Sequence, residues 1–120
     1  MSDAIVMTEY LGIDPTARQW VCLPCKHVIG PADSDYKRGL LLYDRDPRDI
    51  YPVGLPGERG YAPDPNWCRI VEYYCPNCAT QIETEYLPPG HPLTRDMDID
   101  VDALIAARGS EPGAAAGAER

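Results

Sequence analysis

Two C-x-x-C pairs, Cys22-Leu-Pro-Cys25 and Cys75-Pro-Asn-Cys78, limit what this chain can fold into more than any other feature. Two residues between cysteines let one tight turn present both sulfurs to a single ion. Two such turns complete the tetrahedral shell that structural zinc takes. The spacing therefore predicts that Cys22, Cys25, Cys75 and Cys78 converge on one structural zinc ion, each pair at the tip of a β-hairpin, as in a zinc ribbon. Ribbon pairs usually lie about 15–20 residues apart. The stretch from Cys25 to Cys75 is far longer, so residues 30–66 read as an insertion between the hairpins. A redox-active dithiol and four unrelated cysteines are the competing readings. Glycine often follows the second cysteine of a knuckle, and here Lys26 and Ala79 stand in its place.

A closed four-sulfur shell leaves no position for water, so it cannot generate the hydroxide that zinc hydrolases use. The role this predicts is stability. His27, two residues beyond Cys25, is an alternative ligand, although a histidine beside the site or on the surface is the plainer reading. Cys68, inside an apolar β run, reads as a small buried hydrophobe.

The rest of the composition bounds the class. At 120 residues the chain is one small domain, and such domains bury too little surface to dispense easily with a metal or a partner. We place that domain at residues 1–108, and the last stretch, GSEPGAAAGAER, reads with Arg108 excluded as a disordered tail over 109–120. A net charge of −8 disfavours nucleic acid, whose binders present a basic face. No apolar run reaches membrane-spanning length, and the N-terminus carries an acid where a signal peptide is basic. A cytoplasmic location is expected. In a reducing compartment, cysteines in this pattern serve a metal rather than disulfides.

Along the chain, Ala4–Leu11 reads as a first strand, Ile13–Thr16 as a turn, and Gln19–Cys22 as the return strand ending at the first knuckle. Val28–Lys37 looks like loop, and Gly39–Tyr43 (GLLLY) like a short buried strand. Asp46-Pro47 is N-cap chemistry for a brief helix. Pro52–Asn66 is a long Pro/Gly-rich connection, and Tyr51 at its start and Tyr61 within it are natural anchors for a partner. Trp67–Tyr74 is the strongest β signal, followed beyond the second knuckle by an alternating strand. In it Glu83 and Glu85 read as a solvated or partner-facing edge rather than an acid/base pair. Asp98 or Asp100 caps a short helix bearing Val101, Leu104 and Ile105, stopped at Gly109. The run Asp96, Asp98, Asp100, Asp102 lacks the glycine and glutamate of a calcium loop, so capping acidity explains it better. The fold class expected is mostly β: a zinc-ribbon-like domain with a long insertion, a short C-terminal helix and a tail. No phosphate loop, nucleophile elbow or H-E-x-x-H is present.

The order of these features resembles the small gamma subunit of the acetone and acetophenone carboxylases. The resemblance is carried by WVCLPCKH (Trp20–His27), LLYDRDPRDIYP (Leu41–Pro52) and PDPNWCRIVEYYCPNCATQIETEYLPPG (Pro63–Gly90). The second knuckle with its leading W-x-x-I-x-E-Y-Y is the most specific piece, and the short N-terminus favours the acetophenone type. The resemblance implies a non-catalytic, zinc-containing subunit of a biotin-independent, ATP-dependent carboxylase. It matches Cys22, Cys25, Cys75 and Cys78 to the zinc positions. It also implies a hetero-oligomer in which this chain holds large catalytic subunits together, with ATP and divalent metal bound only on those partners. A free-standing zinc-ribbon interaction module and a rubredoxin-like iron electron carrier remain the alternatives.

Overall fold

The computed structural model describes residues 3–110. Of the tail expected over 109–120, residues 109–110 end the C-terminal helix and 111–120 lie outside the described residues. Two antiparallel sheets carry the fold, and each contains one knuckle-bearing hairpin. The first sheet runs in the order β1 (Ile5–Val6), β2 (Leu11–Asp14), β3 (Gln19–Cys22), β4 (Val28–Pro31). The second is β5 (Leu41–Arg45), β6 (Arg69–Tyr74), β7 (Gln81–Leu87). The mostly β expectation with two knuckle hairpins is therefore met.

The details differ in three places near the first knuckle. The segment expected as one strand over Ala4–Leu11 folds back on itself, with the amides of Met7 and Thr8 both donating to the Leu11 carbonyl. The following turn falls two residues later, at 15–18, because the Asp14 side chain at the end of β2 accepts from the amides of Thr16 and Ala17. The expected loop over Val28–Lys37 instead holds β4 and a 3₁₀ turn, Tyr36–Gly39, capped by the Asp35 side chain. Gly39 is required there: a Cβ at that position would sit 2.0 Å from the backbone oxygen of Ile29.

The insertion is not a separate module. Its strand β5 pairs with β6 in register Leu41↔Tyr74 to Arg45↔Ile70, so the insertion supplies the third strand of the second sheet. That strand was expected to be buried and is exposed on Leu41, Leu42 and Tyr43. A short apolar run looks the same whether it faces a core or an edge. The capped helix follows as α1 (Pro47–Ile50), with Asp46 accepting from the Arg48 amide.

One core joins the sheets. Leu11, Ile13, Trp20 and Ile29 of the first pack with Val71, Tyr73, Ile82 and Leu87 of the second. The Trp20 and Tyr36 rings lie 5.3 Å apart, and the indole N–H reaches the Ser34 carbonyl at 2.9 Å. The C-terminal helix α2 (Val101–Ser110) adds Val101, Leu104 and Ile105 to that core. Asp100 caps it through the Ala103 amide, and the helix passes through Gly109 rather than stopping before it.

Glu83 and Glu85 overturn the expectation of a solvated edge. The β6–β7 register slips between Tyr73 and Tyr74, which skips Ile82 and turns both acids toward the first sheet. Glu85 meets the buried Lys37 ammonium at 3.0 Å and the Tyr73 hydroxyl at 2.5 Å, and Glu83 accepts from Tyr36. Of the aspartate run, Asp100 caps the helix while Asp96, Asp98 and Asp102 pair with Lys37, Arg95 and Arg18.

Candidate metal centre

Each knuckle is the turn of its hairpin, and the two turns are built alike. The Cys22 amide donates to the His27 carbonyl and the Lys26 amide to the Cys22 carbonyl, at 2.9 and 2.7 Å. In the second knuckle the Cys75 amide donates to Thr80 and the Ala79 amide to Cys75, both at 2.9 Å. Closing such a turn drives the residue after the second cysteine into left-handed backbone, with φ of 68° at Lys26 and 63° at Ala79. A side chain there costs roughly 1–2 kcal/mol. Ala79→Gly is therefore expected to raise unfolding stability by about 1 kcal/mol, read as a higher urea midpoint at unchanged slope.

The two knuckles meet at one end of the core. The sulfurs of Cys22, Cys25, Cys75 and Cys78 all lie within 4.8 Å of one another. The shortest approaches are between the knuckles, Cys22 to Cys78 at 3.6 Å and Cys25 to Cys75 at 3.7 Å. These are too long for covalent sulfur–sulfur bonds. A tetrahedron with zinc–thiolate bonds of about 2.3 Å has edges of about 3.8 Å, so the spacing suits one ion at its centre. Cys22 and Cys75 are fully buried, Cys25 is half-buried and Cys78 exposed.

The donor chemistry fits a cation as well. The Asn77 amide points at the Cys75 sulfur at 3.4 Å, and the Thr80 hydroxyl lies 3.0 Å from that of Cys78. Burial pushes the Cys22 thiol up, hydrogen bonds led by Asn77 hold Cys25 at about 6, and Thr80 lowers Cys78. Four thiolates this close repel one another, and a dication between them removes that repulsion. The hydrogen bonds to sulfur are the second layer that orients such ligands.

His27 contributes its carbonyl oxygen to the turn, and its ring is not part of the sulfur group. Cys68 stands apart as well. It is half-buried, not buried, and its sulfur approaches the Arg69 carbonyl at 3.6 Å. The buried Lys37–Glu85 pair is what sequence reasoning missed. Its partners are far apart in the chain, and nothing local to either residue announces the pair.

The sequence profile described as acetone carboxylase gamma subunit matches residues 3–108. The chain is 47% identical over 106 residues to a protein named acetophenone carboxylase beta subunit from Aromatoleum aromaticum, covering 88% of this chain and 82% of that one. It is 30% identical over 93 residues to the acetone carboxylase gamma subunit of Xanthobacter autotrophicus, covering 73% of this chain and 52% of the relative.

Proposed function

The chain belongs to the acetone carboxylase gamma subunit family, and on that premise we propose that it is the structural zinc-binding small subunit of a ketone carboxylase. The carboxylase would be biotin-independent and ATP-dependent, of the acetophenone or acetone type, with the acetophenone type favoured by the higher identity to that relative. The observation that carries the structural role is the closed set of four sulfurs. Cys22, Cys25, Cys75 and Cys78 would hold the ion and leave it no vacant position. Bound there, zinc supplies a crosslink between the two sheets. Catalysis, ATP and divalent metal then belong to the large subunits, which this chain would hold together in a hetero-oligomer. No helix of the described residues is long and apolar enough to cross a membrane, and we take the complex to be cytoplasmic.

Native purification tests this reading. The expected result is a colourless chain with one zinc per copy, accompanied by large subunits identified by mass spectrometry. A chain isolated alone would sink the subunit role. The four-sulfur geometry would also suit iron, so a red protein with thiolate-to-iron absorption would replace zinc by an electron-transfer centre.

A further inference from the structure

The two sheets end in four strand edges, and three of them are blunted against pairing with another chain. Strand β1 is only two residues long. Strand β4 ends in Pro31 and is closely approached at Ile29 by the turn carrying Gly39. Strand β7 is bound by the returning chain, where the Thr94 amide and hydroxyl both donate to Glu85. Proteins manage exposed edges by such devices, because an open strand is a template for a foreign one.

Strand β5 has none of them. Among the described residues nothing pairs with its outer side. Leu41, Leu42 and Tyr43 are 57%, 46% and 46% exposed, and so are apolar on both faces of the strand. Its two charges are turned inward along the sheet: Asp44 is held by Arg69 at 3.0 Å, and Arg45 by Glu72 at 2.8 Å. Neither is left to repel an incoming strand.

We infer that another subunit of the carboxylase adds a strand at β5, extending the sheet by backbone hydrogen bonds. The inference rests on the small-subunit reading above. The occupant it fits is an extended apolar segment flanked by basic residues. The stretch 46–66 that continues from the strand carries Asp46, Asp49, Glu58 and Asp64 against Arg48 and Arg59, in a chain of net charge −8. A second copy would bring the same net-acidic stretch against itself. A basic-flanked partner meets it with opposite charge.

The test co-expresses the full chain with the large subunits and compares it with the double variant Leu41→Lys/Leu42→Lys. Both side chains are exposed, so metal content and circular dichroism of the variant are expected to match the parent. Recovery of large subunits is expected to fall roughly tenfold or more, because edge lysines block strand pairing. Hydrogen exchange at the amides of residues 41–45 is expected to slow in the parent complex relative to the isolated chain. A variant that assembles as well as the parent overturns the inference, as do amides that stay fast in the complex. A homodimer of the isolated chain that the variant disperses overturns it in favour of a second copy. A parent chain that recovers no large subunit fails earlier, and takes the small-subunit reading with it.

Discussion

Cys75→Ser is expected to leave the chain largely unfolded under conditions where Cys68→Ser keeps it folded. Cys75 is fully buried and belongs to the sulfur group, whereas Cys68 lies outside it beside the Arg69 carbonyl. Structural zinc contributes about 10–16 kcal/mol in small zinc-binding peptides at neutral pH. A domain of this size has a net stability of only about 5–15 kcal/mol. Losing even half of such a contribution would remove much or all of that net stability. The site also sits where the β3–β4 and β6–β7 turns meet, so its loss unties one sheet from the other. Far-UV circular dichroism, metal analysis and limited proteolysis of the two variants read the effect. Cys22→Ser is expected to behave as Cys75→Ser does. A Cys75→Ser protein without metal that keeps the parent's unfolding midpoint would refute a structural role for the ion.

The contrast between these cysteines was legible in the sequence because a C-x-x-C pair is local. Its turn geometry is fixed by neighbours in the chain, and two pairs need only to meet. The hairpins, the Asp46 and Asp100 caps and the apolar face of α2 were legible for the same reason. What escaped depended on distance or on a slip in register. The Glu83 and Glu85 faces were misassigned because alternation was counted through Ile82, where the ladder skips a residue. The exposure of Leu41–Tyr43 could not be read from an apolar run, since what decides it is how far the first sheet extends across the second. His27 enters through its backbone, which residue type does not reveal.

Lys37→Met is expected to cost about 3–5 kcal/mol. The Lys37 side chain is 3% exposed and that of its Glu85 partner 9%. It also donates to the Thr94 carbonyl at 2.8 Å, lies 3.5 Å from Asp96, and sits against the Tyr36 and Tyr73 rings at 5.9 and 5.1 Å. One amine thus ties the 3₁₀ turn to β7 and to the chain that leads into α2. Methionine fills the space but leaves the Glu85 carboxylate buried without its cation, and that uncompensated charge is the main cost. Replacing both partners, as Lys37→Met/Glu85→Leu, is expected to recover a large part of the loss, which a double-mutant cycle by urea denaturation measures.

Acid probes the same pair from the other side. Burial alone would raise the Glu85 carboxyl, but hydrogen bonds from Thr94, Tyr73 and Lys37 outweigh it and hold the group at about 2. A carboxyl depressed in the fold contributes stability that is complete above its unfolded value near 4.5 and is lost as pH falls toward 2. The full depression corresponds to about 3 kcal/mol at most. The stability gap between the parent and Glu85→Gln is therefore expected to be widest near neutrality and to narrow below pH about 4.5. Both proteins keep the four sulfurs, so a metal held there would be lost from both alike in acid and drop out of the difference. A Lys37→Met protein within about 0.5 kcal/mol of the parent, or a gap that does not change with pH, would mean that this buried charge network holds nothing together.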